Sequence, residues 1–292
     1  MSKIIIKEYL KKSIEYLKSQ NIDSAIIDAE ILVCFCLKKE KSWLYANFNH
    51  KLSQTQIKSL DRLIKKRSNN IPIAQITKNK EFYKLDYFIN KNVLTPRPET
   101  ELIVDEVLNI TKKIKVDEII DIGVGSGAII ITLAKNISNK NINFIGTDIS
   151  DKALYVARKN VARHKINKKI NFLKGNLLEP IINRHKLQDT SYNLIITANL
   201  PYLTPKQFKE EKSIQSEPKI ALVSGQDGLK DYRVFFKQLK KIALKNKVTT
   251  IIEFDPAQTK RLKGLIIDNF KEAKIQTKKD LCGLNRIMII NN

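Results

Sequence analysis

Apolar segments alternate with helix-forming ones from residue 118 to residue 254, and this alternation restricts the fold more than any other feature of the chain. Residues 118–122, 143–145, 171–173, 192–197 and 248–254 read as strands, and 128–136, 152–164 and 231–244 as helices. Near-continuous apolar strands separated by helices predict a parallel sheet covered on both faces. Ligands of such sheets bind outside the carboxyl ends of the strands, so the residues there are the functional candidates.

The first 80 residues are of a different kind. Tyr9, Leu10, Ile14 and Leu17 fall at near-helical spacing, and residues 28–37 form a second, more apolar helix. Ser53 is a candidate N-cap for a third, with Ile57, Leu60, Leu63 and Ile64 inward, and Asn69-Asn70-Ile71-Pro72 closes the block. Residues 81–83 and 87–90 alternate as strands do, with a turn expected at 84–86. Thr95-Pro96-Arg97-Pro98-Glu99-Thr100-Glu101 then gives a rigid, extended entry to a helix through Val104 and Val107. The expected organisation is a helical domain over 1–80, a β-hairpin linker over 81–95 and an α/β domain over 96–292.

Composition excludes several classes. With 42% hydrophobic residues the chain is not disordered throughout, and no run approaches the ~18 apolar residues of a membrane span. Residues 1–12 mix Lys with Glu around a short apolar run, unlike a signal or transit peptide. A cytoplasmic protein is expected. The formal charge is +23, yet only 9 of the 53 basic residues are Arg, and they are scattered. A dedicated nucleic-acid reader would lean on Arg. The charge either solubilises or weakly attracts an acidic partner, and carries no functional claim alone. Cys34, Cys36 and Cys282 lack metal or redox spacing and read as reduced thiols. His50, His164 and His185 lack ligand spacing, so no metal site is expected.

Three clusters carry chemistry. Asp121-Ile122-Gly123-Val124-Gly125-Ser126-Gly127 follows the first strand, where glycines let backbone approach a ligand and turn into a helix. Gly123, Gly125 and Ala128 also satisfy the dinucleotide fingerprint. Asp148 ends the next strand, where a carboxylate can accept both ribose hydroxyls of a nicotinamide or adenosyl cofactor; Asp148 or Asp151 could equally cap a helix. Asn199-Leu200-Pro201-Tyr202 follows the fourth strand and resembles the Asn-Pro-Pro-Tyr signature of amino-methyltransferases. In those enzymes the Asn oxygen and the next backbone carbonyl each accept one N–H of a planar nitrogen, and the aromatic ring stacks on the planar group. Positioning and electrostatics do the work rather than a strong base. No nicotinamide enzyme needs this tetrad, which selects S-adenosylmethionine. Leu200 stands where Pro is usual: the carbonyl is retained, while φ is unlocked and an N–H is added. Pro201 still holds Leu200 extended.

Further motifs appear in order: Pro72-Ile73-Ala74-Gln75, Glu81-Phe82-Tyr83, the Pro-Arg-Pro-Glu-Thr-Glu segment ending at Glu101, Glu217-Pro218, Gly225-Gln226-Asp227-Gly228-Leu229, and residues 280–286. Together they resemble, over essentially the whole chain, the HemK/PrmC family of protein-glutamine N5-methyltransferases that modify peptide-chain release factors. The resemblance implies a Rossmann-like, class I S-adenosylmethionine-dependent domain, with a mostly parallel seven-stranded sheet, behind a small helical domain. It implies that Asp121, Gly123, Val124, Gly125, Ser126, Gly127, Asp148 and Asn199 hold the cofactor, with Asn176 and Leu177 near the adenine. It gives Asn199, Pro201 and Tyr202 the catalytic role and Asn199–Tyr202 the glutamine of the Gly-Gly-Gln loop, with the helices and hairpin docking the rest of a release factor. Arg97 and Glu99 are expected to form a buried ion pair. A monomer without a stable nucleic-acid complex is expected. An N6-adenine DNA or RNA methyltransferase, a non-catalytic binder of translation components and a nicotinamide dehydrogenase are the alternatives.

Overall fold

The computed structural model describes residues 4–166, 170–185 and 191–292; the first three residues of the N-terminal reading and the side chain of His185 lie outside them. Contacts divide the chain into two compact units, Met1–Asn79 with Lys212–Ser216, and Lys80–Glu211 with Glu217–Asn292.

The first unit is helical: α1 (Ile6–Ser19), α2 (Ala25–Leu37), α3 (Lys41–Ala46), α4 (Gln54–Ser68) and α5 (Ile73–Thr77). Ser53 caps α4 as expected, its hydroxyl accepting the Gln56 N–H at 3.2 Å while the Gln56 side chain accepts the Ser53 N–H at 2.8 Å. Leu10, Leu17, Leu32, Val33, Leu44 and Leu60 form the buried centre. Buried Asp28 on α2 pairs with Arg67 Nε of α4 at 2.6 Å, so its charge is not left uncompensated.

The two-stranded sheet of β1 (Asn79–Phe82) and β2 (Leu85–Phe88) belongs, from Lys80 onward, to the second unit. The turn is Tyr83-Lys84 rather than residues 84–86. Both residues have positive φ, 50° and 59°, the two-residue geometry whose twist matches the flanking strands. Tyr83 tolerates it because α6 (Glu101–Thr111) holds both ends: Glu101 accepts its N–H and Asp105 its hydroxyl, each at 2.7 Å. Arg97 does not pair with Glu99. Its guanidinium bonds Glu217, a fully buried carboxylate that also accepts the Thr95 N–H at 3.0 Å. The more deeply buried anion needs the cation more than the half-buried Glu99 does.

The main sheet has seven strands: β3 (Glu118–Ile122), β4 (Asn143–Asp148), β5 (Ile170–Lys174), β6 (Asn193–Ala198), β7 (Lys247–Glu253), β8 (Lys274–Lys279) and β9 (Asn285–Asn291). Their order is β5-β4-β3-β6-β7-β9-β8, with β3 to β7 parallel and β9 antiparallel to both neighbours. Helices α7 (Ala128–Asn136), α8 (Asp151–Arg163), α9 (Glu179–His185), α10 (Pro205–Glu210), α11 (Lys230–Ala243) and α12 (Thr259–Asn269) complete the unit. Side chains alternate between faces with period two: Ile119 and Ile195 join one core cluster, Ile120, Ile122, Leu194 and Ile196 the other. The expected mostly parallel, doubly covered sheet is what forms. Strands β8 and β9 had no place in the alternation: the edge strand β8 is a polar segment, Lys-Ile-Gln-Thr-Lys-Lys, and the apolar β9 follows it with no helix between them. Among the described residues no helix is long and apolar enough to cross a membrane.

Candidate active site

Strand register brings the candidates to one edge. Ile122 lies opposite Thr147 of β4 and opposite Ala198 of β6, so Gly123, Asp148 and Asn199 follow side by side. Because β3 leads to β4 on one side and pairs β6 on the other, this is the topological switch point of the sheet. A cavity of about 570 Å³ opens there, within the usual size of a small-molecule site.

One end of the cavity is made of backbone. Gly123 and Gly125 line it with φ of +69° and +52°, a region L side chains rarely adopt. Asp148 Oδ2 accepts the Gly125 N–H at 2.9 Å and Oδ1 accepts the Ser150 N–H at 2.9 Å. Each oxygen retains a lone pair for a further donor, which is what a ribose diol requires. Burial raises the Asp148 pKa, while the N–H groups of Ser150 and Gly125 work the other way by favouring its charged form. The cap of α8 is Ser150, whose hydroxyl accepts the Ala153 N–H at 3.3 Å, so neither Asp148 nor Asp151 is the cap. Val124, Ser126, Asn176 and Leu177 line the same end. Leu177 has φ +54°, and its carbonyl accepts the Thr147 hydroxyl at 2.9 Å. Bare backbone, a diol-accepting carboxylate and apolar walls fit an adenosyl cofactor.

The other end is made of side chains. Asn199, Leu200 and Pro201 line the cavity with Thr100, Pro96 and Arg97. Asn199 Nδ2 donates to the Thr100 hydroxyl at 3.1 Å, and that hydroxyl donates to Glu253 Oε2 at 2.6 Å. Glu253 is almost wholly buried, and burial pushes its pKa up to about 7; Thr100, Arg286 and Tyr202 act against that shift and Glu99 adds to it. Leu200 is buried in the core, its side chain beside Gly123.

Three expected residues are not in the cavity wall. Asp121 is buried beneath the glycine loop, accepts the Thr197 hydroxyl at 2.8 Å and is raised to about 7 by burial, with the Asp148 charge adding to the shift. Gly127, with φ +82°, caps α7, and a Cβ there would stand 2.6 Å from Ile131. Tyr202 packs into the second core cluster, and its carbonyl accepts Gln258 Nε2 at 2.9 Å. The sequence reading missed Thr100, Glu253, Lys230 and Asp231, although Lys230 and Asp231 share the cavity with Asn199. It also missed Asn160 of α8, which donates to the Ser126 carbonyl at 2.8 Å and bonds both backbone groups of Phe88. Thr100 stood inside a quoted motif, whereas Asn160 is one polar residue in a helix and offered no local signal.

Known proteins give the same outline. A family profile described as PrmC N-terminal domain matches residues 8–77, and one described as Methyltransferase domain matches 113–278. The chain is 35% identical to the release factor glutamine methyltransferase of Dictyoglomus turgidum, covering 93% of each protein. It is 32% identical to that of Bacillus subtilis, covering 88% of each. A crystal structure of the hMettl16 catalytic domain in complex with an RNA hairpin superposes with a TM-score of 0.53 at 16% identity, over 75% of this chain and 79% of that one. At that identity the likeness is one of fold.

Proposed function

The chain belongs to the release factor glutamine methyltransferase family, and from that premise we propose how its cavity acts. The reaction moves a methyl group from S-adenosylmethionine to the side-chain amide nitrogen, N5, of the glutamine in the Gly-Gly-Gln motif of peptide-chain release factors. The observation that carries this reading is the Asn199 amide in the cavity wall, its nitrogen engaged by Thr100.

With its nitrogen so held, Asn199 turns its oxygen away from Thr100 and accepts one N–H of the substrate amide. The Leu200 carbonyl accepts the other. Two acceptors in one plane fix a planar nitrogen so that its lone pair faces across the cavity, a gain in orientation rather than in basicity. The cofactor supplies a methyl group on positively charged sulfur, electrophilic enough for a neutral amide. Gly123, Val124, Gly125, Ser126, Asp148, Asn176 and Leu177 hold it at the opposite end, with Asp121 supporting their loop from below. Pro201 keeps Leu200 extended so that its carbonyl faces the acceptor. The amide proton leaves late, to water or a carbonyl oxygen. Tyr202 acts from behind the wall and not by stacking on the substrate.

In this reading the helical unit and the β1–β2 hairpin dock the body of a release factor. The protein works as a cytoplasmic monomer, without a stable nucleic-acid complex. The test is methyl transfer from labelled S-adenosylmethionine to a bacterial-type release factor, its Gly-Gly-Gln Gln→Ala variant and a DNA/RNA mixture. Label on the intact factor alone is expected; label on nucleic acid alone overturns the reading.

A further inference from the structure

We propose that Glu253 is a positioning residue for methyl transfer: acting through Thr100, it selects which end of the Asn199 amide faces the substrate. This rests on the acceptor role of Asn199 given above.

Strand geometry sets up the contact. The last β6–β7 pair is Ala198 with Ile252, so Asn199 and Glu253 follow on adjacent strands. Ala198 and Ile252 both point into the second core cluster; period-two alternation therefore sends Asn199 and Glu253 to the opposite face. There α6 packs through Ile103, Val104 and Val107, and its N-cap is Thr100. The backbone of Glu253 is secured as well, its carbonyl accepting the Tyr232 hydroxyl of α11.

Hydrogen-bond inventory then decides the amide orientation. A carboxylate only accepts, so the single Thr100 proton is committed to Glu253 at 2.6 Å. The oxygen of Thr100 is left with lone pairs alone, and Asn199 can satisfy them only with its NH2 group, at 3.1 Å. Nδ2 and Oδ1 branch from one carbon, so fixing the nitrogen toward Thr100 turns the oxygen away from it. Without this constraint the two orientations of an amide differ little, and half of them would present donors to a substrate that is itself a donor.

Protonating Glu253 reverses the chain. Its new O–H donates to Thr100, the Thr100 proton turns to Asn199, and the amide flips to bring NH2 to the substrate side. The groups that bear on Glu253 are Thr100 and Glu99 before α6, Tyr202 after β6, and Arg286 on β9. Arg286 favours the carboxylate, and burial favours the acid more strongly. The balance holds the Glu253 pKa at about 7, so both states of the switch are populated around that pH. Glu253 passes no proton to the reaction; its protonation state sets a geometry.

The test combines side-chain amide NMR with kinetics on the full chain. The Asn199 Nδ2 signals, identified by their loss in Asn199→Ala, are expected to titrate with a midpoint near pH 7. They should stop titrating in Glu253→Gln and in Thr100→Val, which removes the hydroxyl at constant shape. In the methylation assay Thr100→Val should lower kcat about 10–100-fold, the cost of misplacing a reacting group, and leave cofactor Kd unchanged. Thr100→Ser, which restores the hydroxyl, should recover most of the rate. The fall in wild-type kcat below pH 7 should vanish in Glu253→Gln. Wild-type kcat in Thr100→Val, equal damage in Thr100→Ser, or Asn199 signals indifferent to Glu253 would each overturn the proposal. Should the wild type methylate no release factor while the coupled titration is present, the assigned reaction falls and the positioning chain stands.

Discussion

The two ends of the cavity are built in opposite ways. The end proposed for the cofactor is mostly one stretch of chain, the loop after β3, completed by a carboxylate from the next strand; recognition there would need little besides bare backbone in its local conformation. The end proposed for the methyl acceptor takes Thr100 from before α6, Asn199 from after β6 and Glu253 from β7, residues up to 153 positions apart joined by two hydrogen bonds. A backbone site is specified by glycines at fixed spacing, whereas a side-chain site is specified by strand register. The first tolerates changes elsewhere in the protein, and the second depends on three elements holding position together.

Perturbing each end separately breaks or sharpens that contrast. The largest effect is expected for Asn199→Ala, which should cost about 10²–10³-fold in kcat, as loss of a preorganised transition-state contact does, while isothermal titration finds cofactor binding nearly unchanged. Equal losses in both would mean that the two ends are one site. Stability should also report both ends. Asp121 and Glu253 are each raised to about 7 when folded, from ordinary values of 3.8 and 4.5. The folded state therefore holds these protons more tightly, and thermal stability should fall as pH rises from about 4 to 7 and level off above. Asp227, held low by its bond to Arg233, works in the opposite sense only in more acidic solution. Asp121→Asn and Glu253→Gln should each remove part of the slope.

Asp148→Ala comes next. It should weaken cofactor binding about tenfold or more, from the loss of charge-assisted hydrogen bonds, with kcat at saturating cofactor largely kept. Gly127→Ala places a Cβ against Ile131 in a left-handed conformation and should destabilise by about 1–3 kcal/mol, read as a lower Tm. The smallest effect is expected for Leu200→Pro. The tetrad would gain its usual locked φ but lose a buried side chain beside Gly123. Rates should move only a few-fold, and a large gain would show that Leu200 limits the enzyme.

Much of the cofactor end was legible because its determinants are local. Gly123, Gly125 and Asp148 announce themselves through residue type and position after a strand, and they line the cavity. Asn199 to Pro201 were legible through their motif. Tyr202 and Asp121 were identified as site residues, but neither is in the cavity wall: Tyr202 packs against the second core cluster and Asp121 bonds Thr197. A sequence gives the order of residues along a strand, not which partner covers each face.

The sequence by itself determined the class of sheet, the helical character of residues 6–77, the glycine loop and the Asn199–Tyr202 tetrad, since each follows from periodicity or from a few adjacent residues. Only the tertiary structure decided that Arg97 answers Glu217, that Lys230 reaches the cavity and that Glu253 stands beside Asn199. The reason is physical. Those pairings depend on which strands become neighbours and in what register, and register is set by the packing of both sheet faces together.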